Sequence, residues 1–176
     1  QALGGLMSPL TQFNPWAPLH RGVTVLEASA GTGKTYQITN IALRMVTEEG
    51  ICISKFLIMT FTRAATAELK KRVRERLTDA YFALQNLRTS EDRFVLDFVK
   101  KAVNEEKVDL YTARLRDALA SFDQAFIVTI HAFCQRMLQA NAFESATPPH
   151  MELVKDTDEI LHNIVDDAIT SALYAA

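Results

Sequence analysis

Gly31, Gly33, Lys34 and Thr35 are the residues of this chain whose types and spacing stand closest to chemistry. They close the run Val23-Thr24-Val25-Leu26-Glu27-Ala28-Ser29-Ala30-Gly31-Thr32-Gly33-Lys34-Thr35. A lysine and a hydroxyl directly behind a stretch of small residues suit a polyphosphate. Small residues let backbone N–H groups face the phosphate oxygens, and a helix starting there adds positive partial charge. In such a loop Lys34 would reach the β/γ-phosphates, and the Thr35 hydroxyl would ligate a Mg²⁺ held through the nucleotide. Ala28, Ser29, Ala30, Gly31, Thr32, Gly33, Lys34 and Thr35 thus form the candidate nucleotide site, with Lys34 and Thr35 as its catalytic members. The common pattern has glycine at the first loop position, where this chain has Ala28. The competing reading is a plain glycine turn joining strand to helix. With both glycines, the lysine and the threonine in register, the residues favour a nucleoside triphosphate.

Such a loop needs a strand before it and a helix behind it. Val23 to Leu26 is a β-branched run that predicts the strand. Ile38, Ile41, Ala42, Met45 and Val46 fall at i, i+3, i+4, i+7 and i+8 and predict the helix. Two further β-branched or aromatic runs, Phe56 to Phe61 and Ala125 to Thr129, are each followed by a helix-period segment. Alternation of this kind predicts an α/β fold, a parallel sheet with helices on its faces. Between the second and third runs the spacing predicts a long helical region over 63–123. It breaks at Thr89-Ser90, with Ser90 capping a helix that begins near Glu91, and again near Asn104 and Lys107.

Both ends read differently from the middle. Residues 8–22 carry Pro9, Pro15 and Pro18 with Phe13 and Trp16, an extended lead-in. Met7 is a candidate natural start, with residues 1–6 carried over from cloning. Pro148-Pro149 ends the last helix of the sheet domain, and another helix begins near Asp156. Its apolar stripe, Ile160, Leu161, Ile164, Val165, Ala168, Ile169, Ala172 and Leu173, meets no Gly, Asn or Pro stop signal. The expectation is a truncated helix that packs against something beyond Ala176.

With 48% apolar residues the 176-residue chain can bury one core. Nineteen basic residues against 21 acidic give a net charge of −2, so nucleic acid would have to bind through a local patch. Cys52 and Cys134 lack CxxC spacing, which implies neither zinc nor a disulfide framework. Cys134, on an apolar helical stripe, is expected to be a reduced core thiol. No 18-residue apolar run or signal peptide is present, so the expectation is a soluble, cytoplasmic protein with no membrane partner.

Two more segments could carry chemistry. After the second run comes Met59-Thr60-Phe61-Thr62-Arg63-Ala64-Ala65-Thr66-Ala67-Glu68-Leu69-Lys70. Hydroxyls and an aromatic gather at the C-terminal end of a strand, where open α/β sheets place their ligands. Arg63, Lys70 and Arg74 fall within about 40° of one another at about 100° per residue. A solvated helix face would look the same by its charges. The added aromatic and hydroxyls suit a single nucleic-acid strand better. After the third run comes Thr129-Ile130-His131-Ala132-Phe133-Cys134-Gln135-Arg136-Met137-Leu138, with Ile130, Phe133, Cys134, Met137 and Leu138 as a buried helix face. Thr129 and His131 remain at the turn, where they can take a phosphate. Thr60, Phe61, Thr62, Arg63, Thr129 and His131 are the candidate DNA contacts.

Together the three segments resemble the superfamily 1 (UvrD-like) DNA helicases, whose loop commonly begins with Ala. The stretches Leu26 to Thr35, Thr60 to Leu69 and Thr129 to Leu138, with Asn141-Ala142-Phe143-Glu144-Ser145, are similar to the RecB branch, the large subunits of exodeoxyribonuclease V. The resemblance covers roughly residues 13–145. It implies an incomplete RecA-like P-loop NTPase domain: the front part of motor domain 1A over 23–145 after a lead-in over 1–22, then the truncated start of a helical insertion subdomain over 150–176. It further implies ATP and Mg²⁺ as cofactors, single- and double-stranded DNA ends as substrates, RecC- and RecD-like partner subunits, 3′ to 5′ movement, and a role in double-strand-break repair and recombination. The family's Asp-Glu pair, its later Gln and arginines, its second motor domain and its nuclease domain have no match here, so the segment alone is expected to be catalytically incomplete. Asp166-Asp167 imitates the acidic pair, but the apolar residues around it keep helical spacing. An AddA- or UvrD-type helicase, a small-molecule P-loop kinase and a pure binding module remain as alternatives.

Overall fold

The computed structural model describes residues 12–19, 22–27, 29, 31–141 and 158–174. Ala28, Ala30 and the Asn141-to-Ser145 extension beyond Asn141 lie outside these, as do Pro148-Pro149 and the start near Asp156. The regular elements are α1 (Lys34–Thr47), β1 (Leu57–Thr60), α2 (Arg63–Leu84), α3 (Arg93–Asn104), α4 (Val108–Ala120), β2 (Phe126–Thr129), α5 (Ile130–Ala140) and α6 (Asp158–Tyr174). Short 3-10 turns at Ile53–Lys55 and Phe122–Gln124 lead into the two strands. The chain divides into two compact units, residues 1–133 and 134–176, the boundary falling inside α5.

In the first unit β1 and β2 pair in parallel, Leu57 opposite Phe126 through Thr60 opposite Thr129. The expected strand at Val23–Leu26 does not join them. Val23 is 96% exposed and Val25 77%, and the sheet has two strands among the described residues. Strand preference in β-branched residues is a preference for a pleated, half-buried surface. Without a neighbouring strand to exchange hydrogen bonds, that run stays irregular. The parallel pairing itself follows the expected β-α-β order.

α2 packs against α1, α3, α4 and both strands. Its buried residues, Leu69, Val73, Leu77, Ala80, Ala83 and Leu84, recur at helical spacing along its full length. Ile127 on β2 is buried, and its partner Ile58 packs against the same core, while Leu57 and Met59 point to the other, open face. The remaining core comes from Leu43, Val46, Ile53, Phe56, Val95, Phe98, Tyr111, Leu115 and Phe122.

The buried face of α1 is rotated from the expected one. Ala42 and Val46 are buried as anticipated, but Thr39, Asn40, Leu43, Arg44 and Thr47 are buried too, and Ile38 is exposed. Arg44 tolerates burial because its donors are used. It bonds the Pro15 and Ala17 carbonyls at 2.7 and 2.8 Å and pairs with Glu48 at 2.8 Å. Lys101 meets the same carboxylate at 2.8 Å. Trp16 stacks on Phe94 with ring centroids 4.3 Å apart, and the Arg44 guanidinium lies over its ring. The lead-in is thereby fastened to the helices by Arg44 and Trp16.

Two other expectations change. The cap of α3 is Asp92, whose Oδ1 accepts from the amides of Phe94 and Val95. Ser90 is buried and instead donates to Asp79 while accepting from the Asp92 amide. A carboxylate at N-cap accepts two amides and carries charge complementary to the helix start. The break near Asn104 and Lys107 falls where expected, with Glu106 in the left-handed region at φ 56°.

None of the residues of α5 is buried, which corrects the reading of Ile130, Phe133, Cys134, Met137 and Leu138 as a core face and of Cys134 as a core thiol. Amphipathic spacing marks a face able to be covered; among the described residues nothing covers this one fully. In the second unit α6 exposes Leu161, Ile164, Val165 and Ile169. Asp166 and Asp167 sit in mid-helix, as their spacing indicated. No helix among the described residues is long and apolar enough to cross a membrane.

Candidate nucleotide and single-strand site

The loop before α1 has the backbone that its glycines allow. Gly31 and Gly33 lie at φ 78° and 88°, a region that residues with a Cβ enter at a cost. Gly33 is the N-cap of α1 and supplies no side-chain cap, and the first turn holds no acidic residue. The leading amides of α1 thus face outward with the dipole's positive end, a ready anion site. A Cβ at Gly31 would meet nothing within 4 Å, so the glycine there serves conformation and leaves the approach open. Lys34 is exposed and its Nζ donates to the Ser29 carbonyl at 2.5 Å, while Thr32 Oγ1 donates to the same carbonyl at 2.7 Å. Both side chains curl over the loop mouth.

Beside this loop lies a pocket of about 690 Å³ lined by Gln12, Phe13, Leu26, Ser29, Lys34 and Gln37, among others. Its lining brings together an aromatic ring, two side-chain amides, the Lys34 cation and the Glu27 carboxylate. Gln12, Phe13 and Gln37 escaped the sequence reading: the first two sat in a segment read only as lead-in, and Gln37 lay inside a helix read for its apolar stripe. Gln37 Oε1 is buried with no hydrogen-bond partner among the described residues.

At the C-terminal ends of the paired strands the second and third motifs come together. Phe61 is 77% exposed, and its ring meets His131 edge-on, with centroids 6.5 Å apart. The threonine hydroxyls mostly serve the chain itself. Thr62 caps α2 by accepting from the Ala65 amide, Thr60 Oγ1 bonds Thr66 Oγ1 and the Thr62 carbonyl, and Thr129 Oγ1 accepts from the Ala132 amide. Phe61 and His131 are left outermost as a platform, with Arg63 exposed at the start of α2.

The basic face of α2 sorts itself by partners. Arg72 pairs with Glu68 and Arg76 with Asp92, Lys71 lies 3.9 Å from Glu75, and Arg74 lies 3.9 Å from Asp123 with its guanidinium over Phe122. Arg63 and Lys70 have no ion-pair partner among the described residues. Arg63 thus follows the exposed Phe61 directly in the chain, with Lys70 two turns further along α2.

Residues 11–174 match the family described as UvrD/REP helicase N-terminal domain. The chain belongs to that family. Over 166 residues it is 37% identical to the RecBCD enzyme subunit RecB of Haemophilus influenzae, covering 88% of this chain and 14% of that protein. The RecB subunit of Mycolicibacterium smegmatis is 38% identical over 150 residues, covering 85% of this chain and 13% of the relative. That of Escherichia coli is 34% identical over 144 residues, 77% of this chain and 12% of the relative. The chain thus spans about one-seventh of the curated relatives it matches.

Proposed function

We propose that this chain is the ATP-binding front of a RecB-type, ATP-dependent DNA helicase or translocase acting at DNA ends in break repair and recombination. In this reading residues 23–145 form the front of a RecA-like motor domain and 150–176 the start of a helical subdomain. RecC- and RecD-like subunits are its partners, and the cytoplasm is its compartment. The observation that carries it is the meeting of Phe61 and His131 at the ends of adjacent parallel strands, in the same unit as the glycine loop. A small-molecule kinase would use the loop but gives no reason for that platform.

Bound ATP with Mg²⁺ supplies the phosphoryl group whose transfer to water drives movement. The chain's part is binding and charge placement. The amides of the Gly31–Lys34 turn hold phosphate oxygens. With the nucleotide bound, Lys34 would offset the charge spread over the transferring group, the Thr35 hydroxyl would hold Mg²⁺, and Gln12, Phe13 and Gln37 would line the remainder of the nucleotide pocket. Phe61 and His131 stack on bases while Arg63 and Lys70 track the phosphates.

The test is Lys34→Ala in the full-length protein. DNA-stimulated ATP hydrolysis is expected to disappear while single-strand binding without nucleotide stays within about twofold, because the lysine acts on charge that only the nucleotide brings. Normal turnover by that variant would sink the motor assignment.

A further inference from the structure

The helix that opens at the phosphate loop is tied to the helix that opens at the DNA platform by one polar cluster. Tyr36, directly behind Lys34-Thr35 on α1, donates its hydroxyl to Asp92 Oδ1 at 3.0 Å. Arg76 on α2 grips the same carboxylate with both terminal nitrogens, at 2.8 and 2.9 Å. The Arg76 guanidinium also lies over the Tyr36 ring, 4.8 Å from its centroid. Asp92 in turn caps α3 through the Phe94 and Val95 amides. Three helices therefore meet on one carboxylate, in the wall of a cleft of about 830 Å³ that also presents Arg72, Arg88 and Glu91.

α1 and α2 are in contact, and apolar side chains of both, such as Leu43 and Val46 on α1 and Val73 and Leu77 on α2, belong to one buried core. Such packing lets helices slide by small amounts. A hydroxyl-to-carboxylate bond and a bidentate guanidinium do not, because both depend on angle. Arg76 lies 13 residues along α2 from Arg63, about 20 Å of continuous helix, so a shift at the cluster moves the platform end as a rigid body.

Asn40, one turn behind Tyr36 on α1, is buried. Its amide acts toward the tyrosine as a donor, which favours the ionised ring, while burial and the Asp92 carboxylate outweigh it and hold the Tyr36 pKa above its ordinary 10.0. At neutral pH the tyrosine therefore stays protonated and donates to Asp92.

We propose that Tyr36, Arg76 and Asp92 form a positioning latch between the nucleotide loop and the DNA platform, through which binding at either site changes affinity at the other. The latch rests on the helicase reading. None of its three residues touches nucleotide or DNA; they act through the placement of α1 and α2.

Its test uses the full-length protein as wild type, Tyr36→Phe, Asp92→Asn and the double variant. Affinity for a non-hydrolysable ATP analogue is measured with and without an oligo-dT strand, and oligo-dT affinity with and without the analogue. Tyr36→Phe keeps the ring over Arg76 and removes only the hydroxyl. Asp92→Asn keeps a good helix cap and removes the charge. Each single variant is expected to leave both unlinked affinities within about twofold of wild type. Each should lower the mutual enhancement on the order of fivefold, by the same factor in both directions, because linkage is reciprocal. The double variant should lose no more than either single one. Enhancement unchanged in both single variants, even with a lowered Tm, would overturn the latch, since a merely structural role shifts Tm and leaves the ratio alone. A wild type with no analogue binding and no oligo-dT binding would overturn the helicase reading and the latch with it. Retained wild-type coupling with unaffected variants overturns the latch alone.

Discussion

Phe61 and Arg63 are neighbours with different expected signatures. Phe61 offers a ring largely in solvent, against the edge of His131, so its contribution is stacking. In the full-length protein Phe61→Ala should weaken single-strand binding by about 1–3 kcal/mol with little change in salt dependence. Arg63 carries a charge with no ion-pair partner among the described residues. If it neutralises a phosphate, Arg63→Ala should reduce the slope of log K against log salt by about 0.7. Titrations at several salt concentrations separate the two, and identical slopes for both variants would remove the phosphate role from Arg63. The loop glycines are legible at this scale because only glycine enters φ 78° and 88° cheaply. The placement of Gln12 and Gln37 in a pocket wall was not, because an amide carries no local pattern until a pocket forms around it.

At the scale of elements, α2 organises the first unit. Leu77, fully buried midway along it, faces the core shared by α1, α3 and α4. Leu77→Ala should cost about 2–5 kcal/mol, the removed transfer energy plus a cavity that four packed helices cannot fully close. Urea unfolding of the chain checks this, and a loss below about 1 kcal/mol would mean the site collapses or the core is less tightly packed than drawn. The turn at the end of α1 is a second such point. Gly50 sits at φ 66° with Arg114 Nη2 2.8 Å from where a Cβ would be, and Arg114 Nη1 donates to the Thr47 carbonyl. Gly50→Ala should therefore destabilise by about 1–3 kcal/mol through both backbone and contact, read as a shift of the same urea midpoint. The period of α2 was readable from its sequence. The rotation of α1 was not, since burial of Arg44 and Asn40 depends on which carbonyls and helices lie across from them.

For the molecule as a whole, the Arg44–Glu48–Lys101 cluster joins the lead-in, α1 and α3, and it should govern acid sensitivity. Burial raises the Glu48 pKa, but the hydrogen bonds and charges of Arg44 and Lys101 outweigh it, leaving the carboxyl below its ordinary 4.5. A depressed folded-state pKa gives stability that is present above the unfolded value and lost as pH falls through the folded one. Stability should thus be level above pH 4.5 with respect to this group and decline below it. Glu48→Gln should lower stability near neutrality and flatten that acid limb. Denaturation midpoints across pH decide it, and an unchanged limb would show that other carboxylates control it. The 176-residue chain by itself should show no ATP turnover, with or without DNA, because no Asp-Glu strand motif accompanies its loop. Catalytic hydrolysis by a clean preparation would refute that.

The division between sequence and tertiary structure follows the range of the interactions. The glycine turn before α1, the positions of β1 and β2, the long helix α2 and the break before Val108 were determined locally, by glycine dihedrals, side-chain periodicity and turn residues acting over a few neighbours. The cap of α3 was misplaced by two residues: Ser90 was the expected cap, but Asp92 serves, held by Arg76 and Tyr36, while Ser90 turns to Asp79. Whether Val23–Leu26 becomes a strand and whether the α5 stripe is buried depend on partners from elsewhere, which periodicity cannot name. The meeting of Phe61 with His131 is also a tertiary outcome. Some seventy residues separate them, and parallel pairing of two four-residue strands, in register from Leu57–Phe126 to Thr60–Thr129, sets them side by side.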